Sequence, residues 1–170
     1  MHLPALNYMR SSPDQNLFDL GNNVIGEIGE VIACKILPYA HRTKGKTKNF
    51  LDQEFSFIIP EYCKQFLKSH WNSIDLFRFT KDPFRCELID VKTKSKTYSH
   101  PKDKRFHLTP NTLNIYKEAL SLGIFVKIMN IYLKKEWKFF YKIDDLMLNN
   151  ITISKGGRNT SYWKKRKLDL

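Results

Sequence analysis

Two runs rich in β-forming residues, 73–79 and 84–92, stand on either side of Lys81-Asp82-Pro83. Aspartate before proline favours a turn, and the flanking runs alternate in polarity, so the segment predicts an antiparallel hairpin. A two-stranded hairpin is marginal in water and needs more strands or a helix to cover it. The chain supplies both. Residues 124–133 and 137–143 read as strands around a Lys134-Lys135-Glu136 turn, and residues 54–59 read as one more short strand.

Helical signals surround these runs. Ser12-Pro13-Asp14-Gln15 has the form of a capped helix start, with proline suited to the first helical position. Leu17, Leu20, Val24, Ile28, Val31, Ile32 and Leu37 follow at helical spacing, and Pro38 ends the run. Gly21, Gly26 and Gly29 interrupt it, each costing about 1 kcal/mol against alanine. They fit a neighbour packed closely there, or a helix that starts afresh near Asn22 or Asn23. Pro60-Glu61 opens a short helix to residue 69. Thr109-Pro110 caps another, with Leu113, Tyr116 and Leu120 on one face and Gly123 as its stop. The order predicts one mixed α/β domain with helices packed on a central sheet.

A chain of 170 residues with 42% apolar and 27% charged residues can build such a core without staples. Its three cysteines form no C-x-x-C pair, which argues against a zinc or disulfide framework and for a reducing, cytoplasmic setting. The start of the chain lacks the basic and apolar regions of a signal peptide. The most apolar stretch, 124–133, is short and holds Lys127 and Asn130, whereas a spanning helix needs ~20 apolar residues. No membrane partner is expected. The five histidines lack ligand spacing. Gly45-Lys46-Thr47 has the form of a P-loop end, but Ala40 stands where its first glycine is required.

The charge is the unusual property. Lys plus Arg number 29 against 17 Asp plus Glu, a net +12, which points to a polyanionic partner. The cations gather in three runs. The first holds Arg42, Lys44 and Lys46; the second, Lys94, Lys96, Lys104 and Arg105; the third, Lys164, Lys165 and Arg166. Charge runs often serve solubility alone. Interleaving with Tyr98, His107, Tyr162 and Trp163 favours contact with a nucleic-acid backbone.

The chemistry-bearing segment is Asp75 with Asp90-Val91-Lys92. Strand side chains alternate faces, so Asp90 and Lys92 share one side and Ile89 and Val91 take the other. Asp75 opens the neighbouring hairpin strand, which brings two carboxylates and an ammonium to one place. Leu88, Ile89 and Val91 make this strand buried on both faces, so the charges there need partners. Glu87 reads as a strand-edge residue on the face opposite Asp90. Paired carboxylates are hard ligands for Mg²⁺, which activates water and stabilises phosphoryl charge. A nearby lysine can orient or deprotonate that water. The set suits phosphodiester hydrolysis. Glu27 and Glu30, three apart on one helix face, are both candidates to reach the same ion. Glu136-Trp137-Lys138 repeats the acid-x-lysine spacing but sits at a turn and lacks an acid on a preceding paired strand.

These residues together resemble the PD-(D/E)XK nuclease superfamily, and within it the archaeal Holliday-junction-resolvase-like group. Glu30, in Gly-Glu-Ile-Gly-Glu-Val-Ile-Ala, is similar to the family's helix glutamate; Asp75 to its first metal aspartate; Asp90-Val91-Lys92 to its D-x-K. The helix after Thr109 and the strand after Gly123 resemble the family's second helix and return strand. The resemblance spans residues 26–133 and departs from the pattern at Ile74, where a proline is usual, and at Asn111, where some branches carry glutamine. It implies a restriction-endonuclease-like α-β-β-β-α-β core, a central mixed sheet flanked by helices. Residues 1–150 would form the domain, 41–71 an insertion and 151–170 a basic tail. It implies an endodeoxyribonuclease acting on branched or structured DNA. Glu30, Asp75 and Asp90 would hold Mg²⁺, with Mn²⁺ as substitute, Lys92 would handle the water, and the protein would be a homodimer. The alternatives are a catalytically silent DNA-binding protein on the same fold and an RNA-binding α/β module.

Overall fold

The structure, a computed structural model, describes residues 21–55, 58–94, 105–133, 139–147, 151–153 and 161–164, with backbone only for 105–107, 151–153 and 161–164. The first described helix, α1 (Asn22–Ile36), starts directly after an extended Gly21, as expected of a chain that begins its helix afresh at Asn22. The expected helix start at Ser12 lies outside the described residues. A two-residue strand, β1 (His41–Arg42), follows, and then α2 (Phe50–Phe55) and α3 (Glu61–Ser69). The hairpin is β2 (Leu76–Lys81) and β3 (Phe84–Lys94). Next come β4 (Arg105–Leu108), α4 (Pro110–Ser121), β5 (Phe125–Leu133) and β6 (Phe139–Asp145). Two short strands, β7 (Ile151–Ile153) and β8 (Ser161–Lys164), end the described chain.

The fold is α/β. Five strands make one mixed sheet in the order β1-β2-β3-β5-β6. The pairs β1–β2, β2–β3 and β5–β6 are antiparallel, and β3–β5 is parallel, joined through α4. The alternation of β3 sorts its side chains between two cores. Ile89 packs with Leu76, Met129 and Ile131 against Ile25, Ile28 and Ile32 of α1. Leu88 packs with Phe77, Val126 and Ile128 against Phe66 and Leu67 of α3 and Leu113 and Tyr116 of α4. Each such side chain contributes about 1.5–3 kcal/mol on burial.

Close packing explains one helix glycine. A Cβ on Gly29 would overlap Thr93 of β3, within 2.9 Å of its Cβ, whereas one on Gly26 meets nothing within 4 Å. Both ends of α4 follow their local chemistry: at its start Thr109 Oγ1 accepts from Thr112 N at 3.1 Å, and beyond its end Gly123 takes φ 75°, a conformation that glycine adopts without strain.

Three expectations are corrected. Residues 54 and 55 end a helix, α2, rather than begin a strand. Leu51 is fully buried, and the Phe50 and Phe55 rings pack on each other and on Phe77; that tertiary burial overrides the local β preference. Glu87 is not an edge residue. Between β2 and β5 it is 4% exposed, held by Arg78 and Lys127. The basic segment after residue 150 is more than a tail, because β8 pairs with both β4 and β7 in a second, three-stranded sheet. Among the described residues no helix is long and apolar enough to cross a membrane.

Candidate functional site

Register brings the two aspartates together. Leu76 pairs with Ile89 across the hairpin, so Asp75, one residue before β2, falls opposite Asp90. A short 3-10 turn, Trp71–Ser73, delivers the chain to that point. Asp75 Oδ2 accepts from the backbone N of Val91 at 2.9 Å. Burial first, and then the Asp90 charge, push the Asp75 carboxyl up to about 6. The Val91 hydrogen bond and Lys92 oppose that shift and do not overcome it.

Asp90 lies mid-sheet and is 4% exposed. Its Oδ1 accepts from the Tyr116 hydroxyl at 2.7 Å and from Lys92 Nζ at 3.0 Å. Lys92 Nζ also forms an ion pair with Oδ2 at 2.8 Å. Oδ2 has no hydrogen-bond partner among the described residues. Burial draws the Lys92 pKa down, but Asp90 and Asp75 outweigh it and hold the ammonium above its ordinary range. Tyr116 is raised well above the tyrosine range, by burial first and by Asp90 second. Its proton stays on and is donated to the carboxylate.

Glu30 makes no hydrogen bond to this group among the described residues, although its charge adds to the upward push on Asp75. Helix α1 covers the Ile89 face of the sheet, whereas Asp90 bonds Tyr116 on the α4 face. Arg42 of β1 binds Glu30 Oε2 through Nε at 2.9 Å and Nη2 at 2.7 Å. Glu30 and Asp75 both line a cleft of about 390 Å³ with Thr43, Lys44, Lys46 and Trp71. Glu27 does not line that cleft and is paired with Lys44, which lowers its pKa. Among the described residues no three His, Cys, Asp or Glu side chains group as metal ligands. The structure therefore assembles Asp75, Asp90 and Lys92, with Glu30 nearby and engaged by Arg42.

A divalent ion fits the pair that is assembled. Mg²⁺ keeps most of its waters and takes one or two carboxylates. Asp75 and Asp90 supply those, and buried Asp90 Oδ2 accepts no hydrogen bond among the described residues, its neighbour being the Lys92 ammonium at 2.8 Å.

The expected nucleic-acid contacts divide. Arg42 and Lys44 are drawn into pairs with Glu30 and Glu27. Lys46 lies over the Phe50 ring at 3.7 Å, and burial lowers its pKa. Lys94 ends β3, half-buried. Arg105 and Lys164 sit in register on β4 and β8. Lys96, Lys104, Lys165 and Arg166 lie outside the described residues, as does Glu136-Trp137-Lys138.

Two polar residues at the site are not marked as such by the sequence. Tyr116 reads as a core residue and is 1% exposed; nothing local identifies its hydroxyl as a partner of Asp90. Asn130, registered with Lys92 across the parallel pair, reads as a break in an apolar run. A lone amide within a strand of buried apolar residues is the signal that singles it out. No protein-family model matches the chain, and no curated protein matches it.

Proposed function

We propose that this protein is a divalent-metal-dependent endodeoxyribonuclease acting on branched or otherwise structured DNA. The observation that carries the reading is the Asp75–Asp90–Lys92 group, in which Asp90 is buried and its Oδ2 accepts no hydrogen bond among the described residues. With the helices between β1 and β2 and strand β4 between β3 and α4 set apart, the order α1-β1-β2-β3-α4-β5 supports a restriction-endonuclease-like core. The net charge of +12 supports a polyanionic substrate.

In this reading Asp75 and Asp90 hold the ion. The ion, when bound, supplies an activated water and charge stabilisation on the phosphoryl oxygens. Lys92 keeps its proton and acts as a donor that orients the water or the scissile phosphate. Tyr116 fixes the Asp90 rotamer through Oδ1. Glu30 and Lys46 border the cleft beside Asp75 where the strand would lie. A homodimer would present two such sites about a two-fold axis to a symmetric junction.

A second reading, a catalytically silent DNA-binding protein, is favoured by the Arg42 clamp on Glu30. Incubating the protein with plasmid, linear duplex, single strand and a four-way junction, with Mg²⁺, Mn²⁺ or EDTA, separates the two. Cleavage that requires the ion, prefers the junction and disappears in Asp90→Asn with DNA affinity retained is expected. DNA binding without cleavage in any metal leaves the silent reading. Sedimentation at about 20 kDa with nicks as sole product rejects the dimer.

A further inference from the structure

Lys92 of β3, Asn130 of β5 and Lys142 of β6 stand in one row across three paired strands. The next row is Asp90, Ile128 and Asp144. Ile128 packs in the core that contains Leu88 and Tyr116, so both rows face α4. Asn130 is 1% exposed. Neither its Nδ2 nor its Oδ1 has a hydrogen-bond partner among the described residues. A buried unpaired amide costs about 1–3 kcal/mol, and its strand neighbours Met129 and Ile131 are fully buried apolar residues. A leucine would pack among them without that cost. The amide makes sense if it gains a partner in another state of the molecule.

Lys92 is the group that changes partners. Its ammonium rests on both Asp90 oxygens, at 3.0 and 2.8 Å. A divalent ion on Asp90 competes for the same oxygens and repels the ammonium. Paired strands lie about 4.8 Å apart, a step that the flexible four-carbon stem of lysine can take. Asn130 Oδ1 is an acceptor in the adjoining register position. It is neutral, so it holds the ammonium without drawing it off Asp90 beforehand.

We propose that Asn130 is a positioning residue whose carboxamide oxygen receives the Lys92 ammonium when Asp90 binds the divalent ion. The inference rests on the metal-site reading above.

Calorimetric titration of Mn²⁺ into the full-length protein tests it without reference to cleavage. Asn130→Leu is expected to weaken Mn²⁺ binding about tenfold, the scale of one hydrogen bond to a charged group. In a Lys92→Met background, where no ammonium needs a second acceptor, Asn130→Leu is expected to change nothing further. Equal losses in both backgrounds would assign Asn130 a structural role and overturn the proposal, as would wild-type affinity in Asn130→Leu. Asn130→Val, compatible with a strand, repeats the cycle if the leucine variant does not fold. Wild-type affinity in Asp90→Asn, or no Mn²⁺ binding by the native protein, would remove the metal-site reading together with this inference. A loss in Asp90→Asn without one in Asn130→Leu removes the inference alone.

Discussion

The Tyr116 hydroxyl donates to Asp90 Oδ1 at 2.7 Å, and both side chains are buried. The bond fastens α4 to the centre of β3, so the helix after the hairpin sets the orientation of the carboxylate. Tyr116→Phe removes a hydrogen bond to a charged group, a contribution of about 1.5–3 kcal/mol. Urea unfolding should show a stability lower by that amount, through a lower midpoint with an unchanged slope. An unchanged midpoint would mean that the bond does not support the fold.

Asp75 makes stability depend on pH. Its carboxyl is raised from 3.8 to about 6 in the folded chain. The native state therefore holds the proton more tightly, and the stability it provides is lost as pH rises from about 4 to about 6. Two pKa units correspond to about 3 kcal/mol at most. Asp75→Asn, measured in EDTA, should match the wild type near pH 4 and exceed it by up to that amount at pH 7.5. A difference that does not vary with pH contradicts the account. Mg²⁺ should raise the wild-type melting temperature at pH 7.5 and leave it unchanged at pH 4, since the ion needs the ionised carboxylate.

Lys92 is held protonated by Asp90 and Asp75 against the pull of burial. The pH dependence of cleavage should then not follow a lysine titration. Lys92→Arg keeps the charge but replaces a compact donor by a planar fork. A loss of at least ~100-fold in cleavage rate is expected, with duplex affinity preserved. Near wild-type cleavage would reduce Lys92 to a phosphate-facing cation.

The two helix glycines should respond with opposite signs. Gly26→Ala meets nothing within 4 Å and should stabilise by about 0.5–1 kcal/mol through helix propensity. Gly29→Ala drives a methyl into Thr93 and should destabilise by about 1–3 kcal/mol through overpacking. Thermal melts of the two variants side by side decide the point; equal shifts would contradict the packing of α1 on β3.

Elements whose signals lie within a few residues are legible in the amino-acid sequence. Thr109 caps its helix through Thr112 N, and Gly123 stops it. Lys81-Asp82-Pro83 joins the paired strands β2 and β3, and the alternation of Leu88, Ile89 and Asp90 sends them to opposite faces. With both strands located, the approach of Asp75 to Asp90 also follows, because register is set by the turn that joins them.

The rest depends on residues distant in sequence. Phe50 and Phe55 are helical because Phe77 offers them a surface. Glu30 is engaged by Arg42, twelve residues on. Tyr116 reaches Asp90 across 26 residues, and Asn130 comes beside Lys92 through the parallel pairing of β3 and β5. Propensity and periodicity act through near neighbours along the chain, so they place a side chain on a face. Which charge or hydroxyl meets it there is chosen when layers pack, at separations over which the sequence carries no local signal.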